Sequence, residues 1–283
     1  MGSPELPAPE TFLSGEPRGI VGRRAQTAAL LRDRTLDVRT RITGLGRRLD
    51  KFAAAVPPRS VHVVSVYRPP AAQLVASTRA LRSNRHRVSY AFGSLGGVVP
   101  SLASQTVVAD MGGGKFENLN HLLGHGADWL VVVDDDVRLP PRFLDRFIGV
   151  CEEFDLGLAQ PAQSLRSHAA WSVTRRRPGV LLRETRFVEI GPVTAFRRDV
   201  AAVLFPFPRL RYGWGLDVHW AALAEEHGWK LGVIDALAVR HETGEVGATY
   251  SSDAAVAEAR EFLAERPYVT SDRAQETLHV VPL

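Results

Sequence analysis

The chain holds a single cysteine, Cys151, in 283 residues. No internal disulfide can form, and the composition fits a reducing, cytoplasmic setting. No apolar run approaches the roughly 20 residues that a membrane-spanning helix needs, and the start shows no basic stretch followed by an apolar one. Neither a spanning helix nor a secretory leader is therefore expected. Internal repeats and low-complexity tracts are also missing. The glycine run Gly112–Gly114 lacks the closing Gly-Lys-[ST] of a P-loop, which argues against a Walker nucleotide site. No DNA-binding motif and no basic patch with interleaved aromatics is present, so nucleic acid is not an expected partner.

What is present is a normal globular mix, 45% hydrophobic and 23% charged, enough to bury a full core. Charge is uneven. Residues 1–17 carry three glutamates and no basic residue, whereas residues 18–51 carry ten Lys/Arg against Asp33, Asp37 and Asp50. Residues 1–19, with four prolines, read as disordered. Residues 20–56 read as a basic helical segment. Within it Val38, Ile42, Leu45, Leu49, Phe52 and Val56 step 4, 3, 4, 3, 4, an a/d seam weakened by Gly44 and Gly46. That seam either joins two copies into a homodimer or lies on the catalytic body.

Residues 57–283 read as one α/β domain. Ser60–Tyr67 and Trp129–Val133 are β-branched runs expected as buried strands, with further strands at 88–92 and 104–109. Helices are expected at 71–85 and 116–124. Strands alternating with helices imply an open, largely parallel sheet flanked by helices, with ligands beyond the carboxyl ends of the strands.

Asp134-Asp135-Asp136 sits at such an end. Alternate side chains of an extended segment point the same way, so Asp134 and Asp136 can converge on one site. Carboxylate oxygens suit Mg²⁺ or Mn²⁺, although an acidic loop before Pro140-Pro141 needs no ion. Upstream, glycines 112–114 precede a helix that begins near Lys115. Their N–H groups and the lysine charge suit an anion.

The segment Gly113-Gly114-Lys115-Phe116-Glu117-Asn118-Leu119-Asn120, followed by Asp134-Asp135-Asp136, resembles the G-G-K-x-x-x-L-N and D-x-D elements of family-2 glycosyltransferases. The order Gln160-Pro161-Ala162, His168, Thr174-Arg175-Arg176, Val188-Glu189, Trp214-Gly215-Leu216-Asp217 and His241 also resembles a largely uncharacterised, GT-A-like family best known from plants. Together the resemblance covers about residues 59–245. It implies a GT-A (Rossmann-like) fold and a metal-dependent transfer of a sugar from a UDP- or GDP-type donor to a hydroxyl. It implies Asp134, Asp136 and His241 as metal ligands, and Asp217 as the general base of an inverting reaction. Lys115, Asn120, Asp110, Arg68, Asp134 and Asp135 fall to the donor, and Trp214, Glu189 and His168 to the acceptor. Trp171 and Arg175–Arg177 are either surface or a donor-phosphate clamp.

One departure is plain. Family-2 enzymes usually carry an aspartate after the second strand, whereas here that strand ends Phe92-Gly93-Ser94-Leu95. Asp110, one strand later, is the available substitute. Two rivals share the acidic triplet, a nucleotidyltransferase and a non-catalytic nucleotide-sugar-binding protein. Neither gives a role to Asp217, which as a mere helix cap would also be ordinary.

Overall fold

A computed structural model describes residues 6–15, 23–42, 44–124, 126–167, 169–241 and 251–283. Its centre is set by the two β-branched runs. β1 (Ser60–Tyr67) lies parallel to β4 (Trp129–Val133) on one side and to β2 (Arg87–Ser94) on the other, and β3 (Thr106–Val108) extends β2. All five residues of β4 are buried. Alternation divides them between two cores: Trp129, Val131 and Val133 face one, Leu130 and Val132 the other. A strand covered on both faces needs no polar residue, and that is why WLVVV is legible as a strand.

Beyond β4 the sheet continues through β8 (Val193–Arg197), β6 (Leu156–Gln163), β9 (Lys230–His241), β7 (Val180–Thr185) and β10 (Thr277–Pro282). β8 runs against β4 and β6, and β7 runs against β9 and β10, while the other strands on this path share one direction. The sheet is open and largely parallel, as expected. One face carries α2 (Leu45–Ala55), α3 (Ala72–Ser77) and α5 (Phe143–Glu153). The other carries α4 (Lys115–Asn120), α6 (Arg198–Leu204), α7 (Leu216–His227), α8 (Ser252–Leu263) and α9 (Ser271–Ala274). Among the described residues no helix is long and apolar enough to cross a membrane.

The N-terminal third differs from its sequence pattern. The seam is cut at Gly44, whose φ of 72° ends α1 (Arg23–Ile42) and lets α2 turn away. Val38 and Ile42 remain exposed, whereas Leu45, Leu49 and Ala53 are buried. α2 meets α5 so closely that a Cβ on Gly149 would lie 2.6 Å from Ala53 N. α1 touches the body through Ala29, which is buried, and Asp33, whose carboxylate accepts the Leu165 and Arg166 N–H groups.

Residues 6–15 are packed rather than loose. A 3₁₀ turn at Pro9–Thr11 presents Phe12, 2% exposed, to the second core. The remainder of the stretch expected to be disordered, 1–5 and 16–19, lies outside the described residues. The helix expected over 71–85 is only α3, and the one expected over 116–124 stops at Asn120.

Candidate active site

β4 delivers Asp134 to the sheet's carboxyl edge, where its backbone N–H donates to Pro192 O. Three residues on, Val137–Arg138 forms the short strand β5, which pairs antiparallel with the end of β9 so that Val137 faces His241. That pairing brings a histidine 105 positions downstream of Asp136 to the triplet. Ligand atoms of Asp134, Asp136 and His241 all lie within 4.8 Å of one another. His241 Nε2 sits 2.8 Å from Asp136 Oδ1, yet that buried oxygen has no partner in hydrogen-bonding geometry. Lys115 Nζ forms an ion pair with Asp134 Oδ1 at 2.6 Å.

Burial raises the pKa of Asp134, Lys115 opposes the shift, and the charge of Asp136 adds to it. Burial alone would lower that of His241, but the Asp136 and Asp134 carboxylates outweigh it and hold the imidazole's pKa above its ordinary value. Two crowded carboxylates, an imidazole and an orphaned oxygen form a donor set that fits a hard or borderline divalent cation.

Two cavities meet at this cluster. A smaller one of about 260 Å³ is lined by Val66, Leu95, Gly113, Asn118 and the acidic triplet. A larger one of about 490 Å³ is lined by Glu189, Trp214, Asp217 and Trp171. Lys115, Asp134 and His241 border both.

Asp217 is the second residue of α7, not its N-cap; Gly215, at φ 87°, holds that position. Its buried carboxylate accepts the Val218 N–H at 3.0 Å. Burial, and then the charge of Glu189, raise its pKa to about 7, against the pull of the Val218 and Ile190 N–H groups. Glu189 is itself buried beside the larger cavity and accepts from Gln163 Nε2 at 2.7 Å, Thr174 Oγ1 at 3.0 Å and the Ala170 N–H at 3.4 Å. Burial likewise raises its pKa, against those hydrogen bonds.

No protein family and no curated protein matches the chain. A solved structure does: mannosyltransferase PcManGT from Pyrobaculum calidifontis in complex with GDP-Man and Mn²⁺, with a TM-score of 0.51, over 79% of this chain and 69% of that one, at 14% identity. The chain shares its fold with that mannosyltransferase. At 14% identity the likeness carries the architecture, and the site has to be argued from this chain's own residues.

Several of the expected site residues have other partners in this structure. The Asn120 amide is consumed by the backbone of Phe207, donating to its carbonyl at 2.9 Å and accepting its N–H at 2.8 Å. It braces a loop, because a primary amide matches a peptide group on both edges. Asp110 is exposed at φ 53° and lines neither cavity. Arg68 reaches the triplet through its backbone N–H, donated to Asp135 Oδ2 at 2.8 Å, so Asp135 latches the end of β1.

The Gly114 N–H, expected to face an anion, donates to Glu117 Oε2 instead. Arg175–Arg177 line neither cavity. Arg176 pairs with Asp37, the Arg177 N–H donates to Asp235, and Arg175 donates to the carbonyls of Ser167 and Ala169. Trp171 is buried, its ring centroid 4.4 Å from that of Phe187, and it lines the larger cavity. His168 lies outside the described residues.

Three features escape the sequence pattern. The backbone leading into Trp214 is held by α8, whose Glu258 carboxylate accepts the N–H groups of Arg211, Tyr212 and Gly213. A Cβ on Gly213 would lie 2.1 Å from Phe116, and one on Gly114 would lie 2.2 Å from Arg211 O, so the two glycine motifs interlock. Arg183 and Asp235 form a fully buried pair, with Nε to Oδ2 at 2.8 Å and Nη2 to Oδ1 at 3.1 Å. Arg183 also donates to the carbonyls of Val173 and Arg175, anchoring the turn that carries Thr174.

Proposed function

We propose that this chain is a metal-dependent glycosyltransferase that moves a sugar from a UDP- or GDP-type donor to an acceptor hydroxyl with inversion. The observation that carries the reading is the larger cavity, bordered by Asp134 and His241 of the ion-binding trio and by a buried aspartate, Asp217, whose pKa of about 7 suits a base at neutral pH. The motif resemblance to family 2, and to the plant-centred family, supports the same assignment. The mannosyltransferase neighbour's GDP-Man makes GDP-mannose the first donor to try.

In this reading Asp134, Asp136 and His241 hold Mn²⁺ or Mg²⁺, and Mn²⁺ in the neighbour's structure favours manganese. The ion's chemistry is to neutralise charge on the donor diphosphate as it leaves. The smaller cavity takes the nucleotide side, where Lys115 supplies a cation beside the diphosphate. Asp217 accepts the proton of the acceptor hydroxyl from the larger cavity, and Trp214 offers an aromatic face to the sugar. Residues 57–283 form the catalytic domain, with α2 docked on it. α1 exposes Leu31, Val38 and Ile42 as the face for pairing two copies.

The test is thermal or denaturant unfolding with GDP-mannose and with UDP-sugars, with and without Mn²⁺. A cognate donor at 100 times its dissociation constant stabilises by about 2.7 kcal/mol. Stabilisation by one donor that requires Mn²⁺ is expected, and no response to any nucleotide sugar overturns the proposal. Release of pyrophosphate from a nucleoside triphosphate supplied with a sugar 1-phosphate, with no nucleoside diphosphate released from any nucleotide sugar, would instead identify a nucleotidyltransferase.

A further inference from the structure

The larger cavity is closed by parts of the chain that lie outside the motif-bearing region. Phe12, Leu13, Ser14 and Gly15 line it together with Lys115, Asp134, Glu189, Asp217 and His241. This strap is tied to the C-terminal helices and their connection. Arg260 Nε donates to Pro7 O at 2.9 Å, Ser271 Oγ donates to Glu10 O at 2.8 Å, and Thr11 Oγ1 lies 3.1 Å from the Tyr268 hydroxyl. α8 also sets the facing wall. Its Glu258 holds the backbone before Trp214, and its Leu263 would be 3.1 Å from a Cβ on Gly215. One helix thus positions both the strap and the Trp214 loop.

The lining combines two kinds of side chain, titratable and apolar. Lys115, Asp134, Glu189, Asp217 and His241 carry its titratable groups apart from the Tyr212 hydroxyl, and Lys115 is already paired with Asp134. The lining residues of the strap, Phe12–Gly15, add no charge, and Phe12 and Leu13 join Trp171, Ile190 and Trp214 as its apolar part. Among the described residues Lys115, already paired with Asp134, is the sole lysine or arginine lining the cavity, so an anionic acceptor would meet acidic side chains without a free basic partner there, which opposes its entry. A neutral molecule with a hydroxyl at one end and an apolar group at the other matches both kinds.

We propose that residues 6–15 are a wall of the acceptor site, and that the acceptor is a neutral, hydroxyl-bearing molecule whose apolar portion lies against Phe12 and Leu13. The inference rests on the glycosyltransferase reading of the same cavity. Phe12 and Leu13 are then specificity residues: they touch the acceptor and take no part in proton transfer or in holding the cation.

The full chain, with GDP and Mn²⁺ present, is titrated with octyl β-glucoside and with methyl β-glucoside while tryptophan fluorescence is read. Two buried methylenes already suffice for a tenfold difference in affinity. The octyl compound should half-saturate at a concentration at least tenfold lower than the methyl compound. Leu13→Ser, at a half-buried position, should erase at least tenfold of that preference. Phe12→Ala should do the same, and Arg260→Ala, which frees Pro7 O, should weaken it in the same direction. Calorimetry of GDP and Mn²⁺ on each variant reports that the metal end is intact. Equal affinity for the two glucosides, or an undiminished preference in Leu13→Ser and Arg260→Ala, overturns the proposal. Wild-type protein that binds the octyl compound in a strap-dependent way but never binds GDP with Mn²⁺ would sink the glycosyltransferase reading and leave the apolar wall standing.

Discussion

Replacing Asp217 by Asn tests the site through stability and rate together. Asn keeps the size of the side chain and an oxygen that can accept the Val218 N–H now bound at 3.0 Å. The carboxyl's pKa is raised from an ordinary 3.8 to about 7 in the folded protein. Because it is raised, the unfolded chain loses this proton near pH 4 while the folded chain keeps it until about pH 7. Stability is therefore lost as pH rises through that window and stays lost above it. Three pH units at about 1.4 kcal/mol each put the cost near 4 kcal/mol at pH 8. Asp217→Asn has no proton to lose, so it should be more stable than wild type by up to about 4 kcal/mol at pH 8 and equal to it at pH 4. Urea unfolding at the two pH values reads this directly. Over the same substitution, transfer should fall by roughly 10²–10⁴-fold while donor affinity is retained, the signature of a lost general base. A variant less stable than wild type at pH 8 would show that burial and Glu189 do not strain this carboxylate, and the argument for a tuned base would fail.

The same pKa predicts an acidic limb in wild-type transfer: kcat/KM should drop tenfold per unit below about pH 7, and a rate flat down to pH 5 would remove Asp217 from the chemistry. Asp136→Ala, taking one ligand from the trio, should abolish Mn²⁺-dependent nucleotide binding in calorimetry while far-UV circular dichroism stays unchanged; intact binding would refute the metal assignment. Arg183→Ala should cost about 3–5 kcal/mol in denaturant unfolding because Asp235 is left buried without its counter-charge, and Arg183→Met with Asp235→Leu should recover most of it. A loss under 1 kcal/mol in the single variant would mean that water reaches Asp235.

The sequence by itself determined the sheet's centre and the metal trio's candidates. Trp129–Val133 is a strand because it is apolar on both faces, and Ser60–Tyr67 because its valines give it a β-branched run, local signals that need no other element. Asp134 and Asp136 follow from strand alternation, and Asp217 and His241 from their motif context. Only the tertiary structure decided how these residues are used. Asn120 was assigned to the donor, yet its partner, Phe207, is 87 residues away. Lys115 meets Asp134, and the pKa of Asp217 depends on Glu189, an acid 28 positions earlier in the chain. The proline-rich start looked unable to bury anything because its anchors, Tyr268, Arg260 and Ser271, stand at the far end of the chain. Periodicity records which face of an element is apolar. It carries no information on which distant segment will cover that face, since that choice rests on long-range packing and on polar groups finding partners once the sheet has formed.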